Sequence, residues 1–430
     1  MFGIGNNKIS IESYKGVRDF YPEDQAIQNY IFGVMKKVVE SWGYSEYSAS
    51  ILEPLELYKS KSSEEIVKEQ IYSFIDRGGR EVALRPEMTP TVARMVSARI
   101  QELPKPIRWY SIPNVFRYEK PQRGRLREHW QLNVDIFGTS SSYADAEVIK
   151  IAYEIMKNFG AEEKDFIIKI NSRELLGDVL EKAEIEKDKH TFVYRLIDKK
   201  EKMEEAEFQH SLIVLVGKEK GAKLLEMLYY NEALLTVFAE KKSASFLAEV
   251  IKILNSWGLK NVVFTPTLTR GFDYYTGVVF EVYDINKENL RSLFGGGRYD
   301  DLAENFINEK IPAFGFGMGD VTVRDFLETH ALLPALSSST ELYLVVAPET
   351  DLNQVYKVAN LFREKGINVA VGISNKKLTD QLKSLDKRNI SFVMFVGSEE
   401  LKIQNFTLRN TVTREEKTGT IAELVEIIKA

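Results

Sequence analysis

FRYEKPQRGRLREHWQLNVDIFG, Phe116 to Gly138, places five cationic side chains in the eleven positions from Arg117 to Arg127 and none from Glu128 onward. Its second half alternates. Trp130, Leu132, Val134 and Ile136 fall on one face of an extended strand, and Gln131, Asn133 and Asp135 fall on the other. In the first half Arg117 and Glu119 likewise share a face, and the connecting loop KPQRGRLRE carries Lys120, Arg123, Arg125 and Arg127 around Gly124. Two readings fit this pattern. One is an antiparallel sheet with a half-solvated face. The other is a polar sheet floor under a mobile arginine loop, suited to a triphosphate or a nucleic-acid end, because a guanidinium fork grips phosphate oxygens in pairs.

The remainder of the chain limits the choice. Its 430 residues and 44% apolar content predict two or three domains with sizeable cores, at about 150 residues per domain. A net charge of -5 with mixed signs confines any polyanion to local patches. Cysteine is absent, which removes disulfides, thiolate metal sites and thiol catalysis. The four histidines, 129, 190, 210 and 330, show no helical metal-site spacing. Neither a cationic-then-apolar leader nor an apolar run of about 18 residues occurs, so a cytoplasmic protein is expected.

Outward from the opening stretch, Pro22, Glu23, Asp24 and the trailing Gly43 predict a helix with Ile27, Tyr30, Ile31, Val34 and Val38 on one face. Strands are expected near 44–52, 81–85, 107–119 and 129–137, with helices from Thr89-Pro90 to about Gln101 and from Tyr143 to Phe159. Residues 172–260 are Lys/Glu-rich and mostly helical, with one buried-looking run, SLIVLVG, and read as an insertion in a catalytic domain spanning 1–330. ALLPALSSST marks a linker at 331–340. Beyond it, 341–430 alternates strand and helix as a small parallel sheet.

Three further clusters carry polar chemistry. In TLTRGFDYYTGVVFEVY, Arg270 leads into a strand with Asp273 and Tyr275 on one face and Phe272 and Tyr274 on the other, suggesting an aromatic-lined polar pocket. In ALRPEMTPTVARM, Thr89 reads as a helix cap, whereas Glu87 at the strand end has no such structural explanation. Gly315, Gly317 and Gly319 leave one strand face bare, so that a flat base can lie on it, while DYYTGVVFEVY and FGGGRYDDL read as a strand pair, the glycines of FGGGRYD being compatible with a tight turn as well. No G-x-x-x-x-G-K-[ST] or G-x-G-x-x-G pattern occurs.

Taken together, these motifs resemble the class II aminoacyl-tRNA synthetases in their histidyl form. FRYEKPQRGRLREHWQLNVDIFG is similar to motif 2 and LTRGFDYYTGVVFEVY to the histidyl signature peptide. GVRDFYPED is similar to motif 1, LRPEMTPTVARM to a histidine-binding stretch, and FGGGRYDDL with FGFGMGD to the region ending in motif 3. The resemblance implies an α+β fold: an antiparallel catalytic sheet flanked by helices, a helical insertion and a C-terminal α/β anticodon-binding domain. It implies that ATP and L-histidine form histidyl-adenylate, which then charges tRNA(His), in a homodimer using Mg2+. It places Arg117, Arg125 and Arg270 on the phosphates, and Glu119 at the adenine or a magnesium ion. Glu87, Thr89 and Gln131 would hold the amino and carboxylate groups, with Arg270 and Tyr274 beside them. Asp135 and Tyr275 would read the imidazole, Asp135 standing where many relatives have glutamate.

The usual motif 3 arginine is replaced by Thr322, leaving two expectations for the adenine: Arg324 after a register change, or Gly317 and Gly319 with Tyr118. Gln122 and Arg123 are expected at the tRNA acceptor end. Lys376, Lys377 and Lys383 are expected at the anticodon unless they form an ordinary solvated helix face. A rival implication is the non-catalytic histidine-sensing regulatory subunit of ATP phosphoribosyltransferase, which shares the fold.

Overall fold

The computed structural model describes residues 9–59, 69–200, 203–269, 274–289, 291–336, 338–373 and 389–429. The chain divides into two compact units, residues 1–333 and 334–430. Arg270 and the basic residues Lys376, Lys377 and Lys383 lie outside the described residues.

The first unit is built on a nine-stranded sheet in the order β1-β5-β7-β12-β11-β10-β8-β9, with β6 paired to β7. The strands are β1 (Ser45–Glu46), β5 (Ile107–Ser111), β6 (Asn114–Phe116), β7 (Glu128–Phe137), β8 (Phe166–Ser172), β9 (Val262–Phe264), β10 (Val278–Asp284), β11 (Ser292–Arg298) and β12 (Ala313–Gly319). All pairings are antiparallel except the edge pairs β1 with β5 and β8 with β9. A separate three-stranded sheet joins β2 (Leu52–Pro54), β3 (Tyr72–Ile75) and β4 (Glu81–Leu84). The single strand expected over 107–119 is two, β5 and β6, separated by Ile112-Pro113 because proline has no N–H for the ladder.

Alternation along β7 assigns the two faces. Leu132, Val134 and Ile136 are buried in the main core with α1 (Pro22–Ser41) and α4 (Ser142–Asn158). Each such side chain contributes about 1.5–3 kcal/mol on burial. α1 starts at Pro22 with Glu23 and Asp24 in its first turn, where the helix dipole favours negative charge. Its residues Ile31 and Val38 are buried, and Ile27, Tyr30 and Val34 pack on the same core. Toward its C-terminal end the opposite face of β7 is covered, not solvated. Asn133 and Asp135 are only 2% and 3% exposed. A second cluster formed by α3 (Thr89–Arg99), Tyr274, Tyr275, Tyr299 and Leu302 covers that side of the sheet.

Of the two readings of FGGGRYD the strand holds and the turn does not: β11 is an interior strand between β10 and β12. A Cβ at Gly296 would overlap the Gly315 carbonyl, and one at Gly297 would meet the Tyr275 ring at 2.8 Å, so close packing on both sides requires glycine. Between β8 and β9, the described residues of 173–256 include six α-helices, α5 (Arg173–Lys182), α6 (Lys187–Asp198), α7 (Glu205–Val216), α8 (Lys218–Leu228), α9 (Ala233–Val237) and α10 (Lys242–Ser256). The helices share the main core; Leu247, Val250 and Leu254 of α10 lie in it with α4. The SLIVLV run is the end of α7 and is amphipathic, with Leu212 and Val216 buried but Val214 72% exposed.

Three motifs meet at Asp320, which opens α12 (Asp320–Thr329). Its carboxylate accepts from Arg18 (2.7 Å) and from the Trp130 backbone N–H (2.9 Å), tying the region before α1 to β7. Burial pushes the Asp320 pKa up, and Arg18 opposes that shift.

In the second unit, β13 (Leu342–Val346) pairs in parallel with β14 (Val369–Val371) and β15 (Phe392–Val396), and α13 (Leu352–Glu364) packs on their core. β16 (Phe406–Asn410) and β17 (Glu416–Gly419) extend the sheet antiparallel, which makes it mixed.

Candidate active site

A cleft of about 160 Å³ lies over β7 and β12, and Arg117, Glu119, Arg125, His129, Gln131, Gly317, Gly319 and Thr322 are among its lining residues. Arg117 and Glu119 reach it together, as their shared face predicts. The Arg117 Nε donates to the Pro86 carbonyl (2.8 Å), which anchors the guanidinium beside the segment that carries Glu87. Glu119 Oε2 lies 3.4 Å from Arg125 Nη1. The loop between them is a tight hairpin: Gln122 and Arg125 exchange backbone hydrogen bonds, and Gly124 takes φ +75°, which a side chain would strain.

Neighbouring arginines of the loop divide by role. Arg127 is buried, stacks 4.0 Å over Tyr118, and donates to the Tyr14 hydroxyl (3.0 Å) and the Glu119 carbonyl (3.3 Å). It is a structural arginine and not part of the phosphate-facing loop. Tyr118 is corrected with it. Being out of phase with Arg117 and Glu119, it points away from the cleft, 51% exposed, against Arg127 and Tyr72. Arg324 is corrected too, since it pairs with Asp24 (2.9 Å) and Glu328 (2.8 Å) and does not line the cleft. Thr322 does line it, with its hydroxyl donating to the Leu293 carbonyl at 2.6 Å. Gln122 and Arg123 lie on the protein surface, donated to by Arg291 (3.2 Å) and donating to Thr329 (2.9 Å) respectively.

β12 faces β7 in a register that sets Gly315 opposite Asp135, Gly317 opposite Asn133 and Gly319 opposite Gln131. The bare glycine face is therefore partly used by the protein itself. A Cβ at Gly315 would overlap Asp135 Oδ1, and one at Gly317 would overlap Gln131 Nε2. Only at Gly319 is there room, the nearest atom being 3.7 Å away. Gln131 in turn donates to Asn133 Oδ1 (2.8 Å).

About 13 Å further along β7 from Gln131, at roughly 3.3 Å per residue, is Asp135. Its Oδ1 accepts from the Tyr299 hydroxyl, and its Oδ2 is buried without a partner among the described residues. Burial raises the Asp135 pKa from 3.8 to about 7, opposed by the Tyr299 hydrogen bond. Burial, then the Asp135 charge, pushes the Tyr299 phenol well above its ordinary value, so it stays a donor. Glu87, 2% exposed, accepts from the Tyr274 hydroxyl at 3.1 Å. Arg85 holds the Glu87 segment through the carbonyls of Asn114 (2.8 Å) and Ala49 (2.9 Å).

Two local expectations change here. Residues 274–277 precede β10, so strand alternation does not separate the tyrosines; Tyr274 and Tyr275 enter one cluster with rings 4.9 Å apart. Thr89 is the first residue of α3 and not its cap; Met88 occupies the N-cap, where no side chain closes the helix. His129 and Tyr299 join the site without a motif that marks them for it, although the period-2 pattern through Gln131 extends back to His129 and places it on the polar face. Burial, then Arg117 and Arg18, lower the His129 pKa to about 3, so the ring is neutral near physiological pH.

An antiparallel sheet with arginines from a hairpin over a glycine-lined strand defines a class II aminoacyl-tRNA synthetase. The family sequence model described as histidyl-tRNA synthetase matches residues 16–321, and that of the anticodon binding domain matches 342–430. A histidine–tRNA ligase of Leptospira biflexa is 40% identical over 428 residues, covering 98% of both chains. One from Thermoplasma volcanium is 36% identical over 98% of this chain and 99% of that relative. The crystal structure of histidyl-tRNA synthetase from Nostoc sp. PCC 7120 superposes with a TM-score of 0.84 at 25% identity, covering 98% and 99% of the two chains. This chain belongs to the histidyl-tRNA synthetase family.

Proposed function

We propose that the cleft carries out the ligation of histidine to tRNA. A histidine carboxylate oxygen bonds to the α-phosphorus of ATP as the bond to pyrophosphate breaks; the acyl group then passes to the terminal ribose of tRNA(His), releasing AMP. The observation that carries this reading is the pairing, along one strand, of a cationic cleft at Arg117 and Arg125 with a buried acid, Asp135, that has one oxygen unpartnered. Guanidinium groups held in place before the reaction stabilise charge that develops in transfer, typically by ~3 kcal/mol each. The Asp135 oxygen would accept an imidazole N–H, and Glu87, Thr89, Gln131 and Tyr274 would hold the amino and carboxylate groups. Tyr275 would read that ring together with Asp135. Arg270 would reach the α-phosphate from the signature peptide, and Gly319 with Thr322 would face the adenine.

Magnesium fits Glu119, the one carboxylate among the described residues that line the cleft, because Mg2+ is commonly held by a single carboxylate together with substrate phosphates. When bound it would neutralise phosphate charge. Gln122 and Arg123 are assigned to the acceptor end, and the C-terminal unit with Lys376, Lys377 and Lys383 to the anticodon. The anticodon-binding match favours ligation over the regulatory-subunit reading. A homodimer in the cytoplasm completes the proposal. No described helix is long and apolar enough to cross a membrane.

ATP–pyrophosphate exchange tests the assignment: histidine alone among the standard amino acids should drive it. Exchange driven by another amino acid, or by none, rejects it. Arg270→Ala should abolish exchange at an unchanged thermal midpoint.

A further inference from the structure

The Gln122–Arg125 hairpin rests on two segments far from it in sequence, the end of α12 and the loop joining β10 to β11. Gly124 sits against α12, where an added Cβ would lie 3.6 Å from Thr322 and 3.9 Å from Asp325. Arg123 Nη2 donates to the Thr329 hydroxyl (2.9 Å), and the Gln122 side-chain carbonyl accepts from Arg291 Nη2 (3.2 Å). Arg123 also stands 4.0 Å from Glu288, but both groups are exposed and the pair contributes little. The partners are themselves tied down. The Thr329 hydroxyl donates to the Asp325 carbonyl (2.8 Å) and accepts from Asn289 Nδ2 (3.2 Å), which also donates to Asp284 Oδ2 (2.7 Å). Asp284, whose side chain is fully buried, accepts from the Asn286 N–H (2.7 Å) and lies 2.8 Å from His330 Nε2. This run of hydrogen bonds fixes the loop and the helix end to each other, and the hairpin tip is held by side chains of both.

Two consequences follow from these contacts. Gln122 and Arg125 exchange backbone hydrogen bonds (3.0 and 2.9 Å), so whatever fixes Gln122 also fixes Arg125 at the cleft. A guanidinium acts on developing phosphate charge most strongly when it is held in place beforehand. The same contacts occupy the two side chains assigned above to the acceptor end: Gln122 Oε1 is given to Arg291 and an Arg123 N–H to Thr329. A nucleotide that takes either side chain must displace its partner. We propose that Arg291 and Thr329 are positioning residues that dock the hairpin for the ATP-dependent step, and that this dock opens when the tRNA acceptor end takes Gln122 and Arg123. Resting on the ligation reading above, this gives the two half-reactions opposite demands on one loop. Weakening the dock impairs ATP use and eases engagement of tRNA.

The test is ATP–pyrophosphate exchange and tRNA(His) charging by the full chain and by Arg291→Ala, Thr329→Val and Gln122→Ala, with ATP, histidine and tRNA varied separately. Arg291→Ala and Thr329→Val should each raise the ATP KM about threefold, the worth of one exposed hydrogen bond, and about tenfold together. The histidine KM should stay within about twofold. Gln122→Ala should match Arg291→Ala and add little to it in the double variant, because Arg291 acts through Gln122. Thr329→Val alters no charge and so reports the release of the hairpin without changing attraction to phosphates; its tRNA KM should fall about threefold. An unchanged ATP KM in the Arg291→Ala, Thr329→Val double variant overturns the proposal. So does an equal rise in the ATP and histidine KM values, or full additivity of Gln122→Ala with Arg291→Ala, since either marks a general structural role. A tRNA KM that Thr329→Val leaves unchanged or raises overturns it as well. Absence of histidine-driven exchange in the unmodified protein overturns the ligation reading instead.

Discussion

Asp135→Asn is expected to disable histidine activation while making the ligand-free protein relatively more stable as pH rises. The carboxyl is buried with a pKa of about 7 in place of its ordinary 3.8. Below pH about 4 it is neutral in folded and unfolded chains alike. Between there and pH 7 the unfolded chain ionises first, so the wild type loses stability as pH rises; above the folded pKa the loss is complete. A gap of that size is on the order of 4 kcal/mol. Asparagine has no such titration, and groups common to both proteins cancel in the comparison. Urea melts of both proteins at pH 4, 6 and 8 should therefore show the difference moving by about 4 kcal/mol in the variant's favour. Saturating histidine should raise the midpoint of the wild type alone. In exchange assays the variant should lose about 100-fold or more in kcat/KM for histidine. A pH-independent stability difference would refute the buried, proton-holding carboxyl; near-normal exchange would refute its role in reading the ring.

Glycine substitutions on β12 should separate by position: Gly315→Ala displaces Asp135 and should lower histidine-driven exchange at least tenfold, whereas Gly319→Ala meets nothing closer than 3.7 Å and should leave the histidine KM within about twofold. Arg125→Ala should raise the ATP KM with little change in thermal midpoint. Arg127→Ala should instead cost about 2 kcal/mol in urea melts, since it removes a buried guanidinium stacked between tyrosines. Arg298→Ala strands Asp145, which is fully buried and paired with Arg298 through both oxygens, and should cost about 3–5 kcal/mol by the same measurement.

Much of the site was legible because strand alternation is local. Knowing only that Phe116 to Gly138 contains strands is enough to group Gln131 with Asp135 and Arg117 with Glu119; in the structure Gln131 and Asp135 lie over Gly317 and Gly315 of one β12 face, and Arg117 and Glu119 line the cleft together. The same rule failed at Tyr274 and Tyr275, where the chain has not yet entered β10. Thr89 shows the limit of a composition rule: Thr-Pro marks the helix start, but which residue caps it depends on backbone angles one position away. The glycines of FGGGRYD gave a choice of turn or strand that only the neighbours at Gly315 and Tyr275 decide.

By itself the sequence determined which side chains share a face, where α1 begins, and that this chain's chemistry must run without thiols, because each of these depends on residue type and short-range periodicity. Tertiary structure decided which arginine serves the cleft and which serves the fold. Arg125 and Arg127 are two residues apart in one loop, yet Arg127 is enclosed by Tyr14 and Tyr118 while Arg125 stays at the cleft beside Glu119. It also decided that Asp135 keeps a raised pKa, since desolvation is imposed by Tyr299, Tyr274 and α3, elements distant in sequence that close over β7 only when the chain is folded.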